Sequence, residues 1–154
     1  MAKADIVANV FVSNVHQDRE GQWTGDFIYQ QTYPKGPELF VRENGDIDLN
    51  SFDGPVNIRF DWASPFVTIE DKLYGCSYLT PSYKTFTFPD NAGGEIHANR
   101  ADPSNDTMSI TYTDDNDDGK TREYTLCVWA NTNGDGTNGT RIYNDPKLIN
   151  RTNN

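Results

Sequence analysis

Near the C-terminal end of the chain an aspartate is joined directly to a proline, in the run Arg141-Ile142-Tyr143-Asn144-Asp145-Pro146-Lys147-Leu148-Ile149-Asn150. An Asp-Pro bond is open to attack by its own neighbour. The Asp145 carboxylate can reach its own carbonyl carbon and close a cyclic anhydride. The group expelled is the nitrogen of Pro146, a secondary amine that carries no N–H in the chain. Such a carboxylate is a covalent nucleophile built into its substrate. Held in a near-attack pose it gains an effective molarity of about 10⁵–10⁸ M. The anhydride has two fates: water leaves a cut chain, and a lysine amine leaves an isopeptide cross-link. A second pair, Asp102-Pro103, is also present. The ordinary role of either pair is to start a turn, with Asp as the side-chain acceptor.

This chemistry asks for two helpers. Expelling proline needs a proton on its nitrogen, and a histidine or a carboxylic acid with a raised pKa can donate one near neutral pH. His97, Asp61 and Glu123 are the candidates. The cross-link needs an amine. Among Lys3, Lys35, Lys72, Lys84, Lys120 and Lys147, the residue that opens the segment expected to pair with Asp145 is Lys120. Its plain alternative role is a strand-edge charge that deters aggregation.

Two other constellations carry possible chemistry. Asp114-Asp115-Asn116-Asp117-Asp118-Gly119 has the opening of a Ca²⁺ loop, with Asp114, Asn116 and Asp118 at alternate positions and glycine for the sharp turn. The closing glutamate is missing, because Thr125 stands where it would fall. Weak Ca²⁺ binding or a solvated acidic turn both fit, and no other cofactor is indicated. The aromatics Trp23, Tyr29, Tyr33, Trp62, Tyr74, Tyr78 and Tyr83 are either a sugar-stacking face or the core. The core is the better reading, because little else is large enough to fill one.

The elements that must position these groups are strands. Only 35% of residues are hydrophobic, but 12% are aromatic, and Asn, Asp, Thr and Gly are abundant. That favours strands and turns over helices. Ile6, Ala8, Val10 and Val12 alternate, as do Val56, Ile58, Phe60 and Trp62, then Met108, Ile110 and Tyr112, and Tyr124, Leu126 and Val128. Turn signals separate them, among them Glu43-Asn44-Gly45-Asp46. Strands are expected near 5–15, 24–31, 37–42, 55–62, 66–71, 73–79, 83–88, 94–98, 107–113, 121–130 and 140–144, with no amphipathic helix. This pattern predicts an all-β chain, a single antiparallel β-sandwich domain over residues 1–154. Its last two strands form a hairpin followed by a short tail, 146–154. The hairpin sets Asp145 across from the early half of the 121–130 strand, beside Lys120 to Thr125.

The net charge of −10 argues against nucleic acid and anionic membranes as partners. Cys76 and Cys127 lie in strand-like runs and read as buried thiols, with a disulfide open if the strands are neighbours. No apolar run of signal-peptide or membrane-spanning length follows Met1-Ala2-Lys3-Ala4-Asp5. The expected location is the cytoplasm, or an extracellular assembly reached by another route.

The C-terminal third resembles the DP-EP family of small bacterial β-sandwich proteins. The resemblance is carried by Met108-Ser109-Ile110-Thr111-Tyr112, by Asp118-Gly119-Lys120-Thr121-Arg122-Glu123-Tyr124-Thr125-Leu126-Cys127-Val128, and by Tyr143-Asn144-Asp145-Pro146-Lys147-Leu148-Ile149-Asn150. It implies a protein that cleaves itself at the Asp-Pro bond, joins the new carboxyl to a lysine of the partnering strand, and assembles with copies of itself. Carried over, Asp145 is the scissile aspartate, Pro146 the leaving residue and Lys120 the acceptor. The Asn- and Gly-rich hairpin tip at 131–139 is longer than the family's, and Lys147 replaces its more usual acidic or apolar residue. The expectation is therefore a self-processing, self-assembling protein, an autocatalytic endopeptidase at most. The alternatives are a non-catalytic subunit of a homo-oligomer or filament, and a surface- or carbohydrate-binding module.

Overall fold

Alternation in the sequence becomes alternation of burial. In β1 (Ile6–Gln17) and β4 (Val56–Trp62) the even-numbered apolar residues Ile6, Ala8, Val10, Val56, Ile58, Phe60 and Trp62 are buried. In β9 (Ser109–Asp114) the buried residues are Ile110, Tyr112 and Asp114. A strand turns successive side chains to opposite faces, so each such run supplies one face of a core. The computed structural model describes residues 4–79, 86–87, 96–98, 107–116, 119–134 and 139–149, and among these the chain is all-β, with no helix.

The other strands are β2 (Trp23–Tyr33), β3 (Ile47–Asp48), β5 (Phe66–Ile69), β6 (Lys72–Tyr78), β7 (Phe86–Thr87), β8 (Ile96–Ala98), β10 (Thr121–Glu123), β11 (Thr125–Ala130), β12 (Thr140–Asn144) and β13 (Lys147–Ile149). Among the described residues the strands form three sheets. One runs β2-β1-β4-β9-β8, one runs β12-β11-β6-β5 with β7 also on β11, and a small one runs β10-β13-β3. Most pairings are antiparallel as expected, but β1–β4 and β13–β3 are parallel. Residue alternation encodes which face is buried and not which direction the neighbour runs.

Aromatic rings join the sheets. Trp62 meets Phe27 at 6.4 Å and Tyr78 at 5.6 Å between ring centroids, and its indole N–H donates to the Cys76 carbonyl at 3.1 Å. Phe60 meets Tyr29 edge-on at 5.7 Å and stacks on Tyr124 at 6.3 Å. Tyr29, Trp62 and Tyr78 are core residues, Trp23 and Tyr74 pack against that core, and Tyr33 is exposed. Three of the seven candidate sugar-stacking rings are therefore interior and two more are partly buried; Tyr83 lies outside the described residues.

Three segments depart from the expected strands. Residues 37–42 contribute only a bridge, Val41 to Ile47. Their backbone is fastened by a side chain instead: Gln31 Oε1 accepts from the N–H groups of Phe40 and Val41, and Gln31 Nε2 donates to the carbonyls of Pro34 and Glu38. The expected 121–130 strand is broken at Tyr124 into β10 and β11. The expected tail begins as a strand, β13, at the centre of the small sheet.

The last hairpin keeps one register through that break. Leu126 pairs with Asn144, and Glu123 pairs with Lys147. The same offset sets Tyr124 opposite Pro146 and Thr125 opposite Asp145. The Tyr124 N–H donates to the Pro146 carbonyl at 2.9 Å. Pro146 has no N–H to return, so the ladder lapses there. On one side of the lapse β11 and β12 belong to a large sheet, and on the other β10 and β13 belong to the small one.

The core also holds groups that resist ionisation. Burial pushes the Cys76 thiol up to about 12 and the Cys127 thiol up to about 11, and raises the phenols of Tyr29, Tyr78 and Tyr124. Both cysteines are free and buried. Once unfolded, these groups release protons at their ordinary values, near 9 for thiols and 10 for phenols. A raised pKa in the folded state therefore contributes stability below about pH 9 that is lost as pH climbs toward 12. The urea midpoint is expected to stay level from pH 7 to 8.5 and fall steadily up to pH 11; a level midpoint across the whole range would contradict the buried titratable core.

Candidate functional site at the Asp145–Pro146 corner

Both flanks of the Asp145–Pro146 bond are pinned by distant parts of the chain. On the N-terminal side, Asn144 Nδ2 donates to the Tyr29 hydroxyl at 2.9 Å, and Thr24 Oγ1 donates to the Tyr143 carbonyl at 2.9 Å. On the C-terminal side, the Pro146 carbonyl takes the Tyr124 N–H, and the Lys147 N–H donates to Asp46 Oδ1 at 2.8 Å. Pro146 itself is buried, whereas Asp145 is exposed. The Asp145 carboxylate accepts from Thr125 Oγ1 at 2.6 Å through Oδ1. That contact orients the carboxylate directly across the hairpin from its register partner.

The turn Asn44-Gly45-Asp46 closes over the corner. Asn44 Oδ1 accepts from the Asp46 N–H at 2.9 Å, and the Gly45 N–H donates to the Arg42 carbonyl at 2.9 Å. Gly45 has φ +96°, a conformation natural to glycine. Its carbonyl accepts the Tyr124 hydroxyl. Burial raises the pKa of the Tyr29 and Tyr124 phenols, and the Asp145 charge adds to the rise at Tyr29. Both phenols thus stay protonated near the Asp145–Pro146 segment and are poor acids.

The expected helpers are arranged differently from their sequence placement. Lys120 is exposed and stands just outside β10. Thr125, opposite Asp145, is five residues further on, about 17 Å along a strand at roughly 3.4 Å per residue. The hairpin register thus keeps Lys120 away from Asp145 within one chain. Lys35, Lys72 and Lys147 are exposed, and Lys3 and Lys84 lie outside the described residues. Of the proton-donor candidates, Asp61 is engaged on β4 by Arg59 at 3.1 Å and Ser109 at 2.9 Å. Glu123 is exposed and opposite Lys147. His97 contributes its backbone to β8. The groups that do meet the corner are Tyr29, Asp46, Tyr124, Thr125 and Asn144. The hairpin expected from the sequence already set Tyr124 and Thr125 beside Asp145; Glu43–Asp46 was legible only as a turn, and nothing in the spacing linked that turn or Tyr29 to Pro146.

In the described part of the candidate Ca²⁺ loop, Asp114 and Asn116 make hydrogen bonds within the fold. Asp114 and Asn116 are fully buried. Asp114 Oδ1 caps the Asn116 N–H at 2.8 Å. Asn116 Nδ2 donates to the carbonyls of Leu49, Phe52 and Gly54 at 3.2, 3.0 and 3.3 Å. Asn116 thus clamps the 49–54 loop to the end of β9. Asp118 lies outside the described residues. Among the described residues no group of three or more His, Cys, Asp or Glu side chains converges on one point, and no helix is long and apolar enough to cross a membrane.

No family model matches the chain, and no curated protein is significantly similar to it.

Gly45 is the position where the corner has no room. A methyl group there would lie 2.5 Å from Tyr29 Cε1 and 2.8 Å from Pro146 Cγ, on a backbone that disfavours any side chain. Backbone strain of about 1–3 kcal/mol adds to overpacking of about 1–3 kcal/mol. Gly45→Ala is expected to lower unfolding free energy by about 2–6 kcal/mol in urea titration. A loss under about 0.5 kcal/mol, the ordinary range for surface changes, would show that the turn does not seat Pro146.

Proposed function

We propose that this all-β domain, which we read as a β-sandwich, processes itself at the Asp145–Pro146 bond and assembles with copies of itself. The observation that carries the reading is the pairing of a restrained bond with an exposed, oriented carboxylate. Hydrogen bonds hold Asn144, Pro146 and Lys147 on either side, while Thr125 holds Asp145 Oδ1. Restraint of both reacting parts is what converts an intrinsically possible ring closure into a favoured one.

In this reading Asp145 Oδ2 attacks its own carbonyl carbon. A C–O bond forms, the C–N bond to Pro146 breaks, and the departing nitrogen takes a proton from water. Hydrolysis of the anhydride adds one water and leaves two carboxylates on Asp145. Attack by a lysine Nζ instead forms an amide, freeing one carboxylate and one proton. Because the hairpin register holds Lys120 away from Asp145 in the same chain, the acceptor amine comes from another copy, with Lys120 retained as the candidate there. A non-catalytic rival uses the same contacts: Pro146 buried beneath Gly45 also makes a rigid corner for a structural subunit.

The two readings separate on a variant panel incubated from pH 5 to 8, with release of Pro146–Asn154 followed by chromatography. Asp145→Asn is expected to abolish release and Pro146→Ala to slow it. Thr125→Val is expected to slow it about tenfold, because the carboxylate is no longer held in one orientation. Wild-type protein that stays intact throughout leaves the structural-subunit reading in its place.

A further inference from the structure

The strand that follows the corner sits in a slot. β13 has only three residues, yet it is the central strand of its sheet, antiparallel to β10 on one side and parallel to β3 on the other. Leu148 is fully buried. The Lys147 N–H goes to Asp46, and the Ile149 carbonyl takes the Leu49 N–H at 2.8 Å. From Pro146 to Ile149, the contacts that seat the segment fall on residues 45–49 and on residues 121–124. The same segment from a second copy would make the same contacts.

The junction permits that substitution. At Tyr124–Pro146 the ladder lacks one hydrogen bond because Pro146 has no N–H. No N–H of Pro146 ties the chain to Tyr124 at this row, so a change of backbone angles at Asp145 can lead the segment from Pro146 onto a second copy. An empty slot would leave facing edges of β10 and β3 unpaired and uncover the apolar seat of Leu148, so the slot must be filled from the same chain or from another.

We propose that the slot between β10 and β3 is an interface for a second copy of this chain, filled by exchange of the segment from Pro146 to Ile149 through the Asp145–Pro146 corner. Reciprocal exchange closes a two-fold dimer, and non-reciprocal exchange extends a filament. The proposal rests on the reading that copies associate; it does not require the bond to be cut.

Engineered cysteines test it in the full chain. Glu123 and Lys147 face each other, and the Lys147 N–H is turned away toward Asp46, so this is a non-hydrogen-bonded row, the closer kind. Cβ atoms on such a row approach the separation a disulfide needs. Cys76 and Cys127 are buried and stay out of the reaction. Glu123→Cys and Lys147→Cys chains are mixed at high concentration, warmed briefly and oxidised mildly, with light scattering on the same samples. The expected result is a mixed disulfide dimer in clear excess over either homodimer, reduced at least tenfold when Leu148→Asp is added to the Lys147→Cys chain. The doubly substituted chain, when dilute, is expected to close the bond within itself, which reports that the variants fold with β13 seated. Oligomers without the mixed disulfide would overturn the exchange and leave association standing. Monomers without it would overturn both. Yields in the random ratio, the mixed dimer no more than about twice either homodimer, or no bond in the double variant, would also overturn the proposal.

Discussion

Pro146 has no amide hydrogen, and the layout of the C-terminal third follows from that. A single register runs from Thr121 to Ala130 on one side of the last hairpin and from Thr140 to Ile149 on the other. At the row where Tyr124 faces Pro146, one hydrogen bond is made and its partner is chemically impossible. With the ladder interrupted, the halves of the hairpin take different neighbours: β11 takes β6 and β7, and β13 takes β3. The Asp145–Pro146 bond therefore lies where the chain passes from one sheet to the other.

The core braces this corner. Tyr124 is fully buried at the break, stacked on Phe60, with its hydroxyl on the Gly45 carbonyl. Tyr29 reaches the same spot from β2 and holds Asn144. A buried phenol without a partner is costly, so placing these two hydroxyls at the corner satisfies them and fixes the backbone around Pro146 together. Gly45 completes the enclosure at a position where a side chain would strike both Tyr29 and Pro146. The stability of the fold and the geometry of the bond thus rest on the same few residues.

Much of this was legible in the sequence. The inward residues of β1, β4 and β9 follow from period-two alternation, and the placing of Asp145 across from the early part of the 121–130 segment follows from the hairpin. What was not legible involves partners far apart in the chain. Gln31 replaces a strand ladder at Phe40 and Val41 with its own amide, and no local pattern announces that. Asn116 sits in a motif that reads as a Ca²⁺ loop, yet its amide clamps the carbonyls of Leu49, Phe52 and Gly54. Lys120 precedes the correct strand, but strand register converts a five-residue offset into a separation of about 17 Å. The direction of β3 beside β13 depends on a long connection whose path leaves no periodic trace.

The central chemical claim is that the Asp145 side chain, and not an external water, first breaks the bond. Incubation in ¹⁸O-labelled water, followed by tandem mass spectrometry of the new C-terminal Asp145, tests it most directly. An anhydride presents two carbonyl carbons to water, so the account predicts label in both the main-chain and the side-chain carboxyl of Asp145. Label confined to the main-chain carboxyl would show direct hydrolysis, and a chain that never gains a cut end would contradict the account outright.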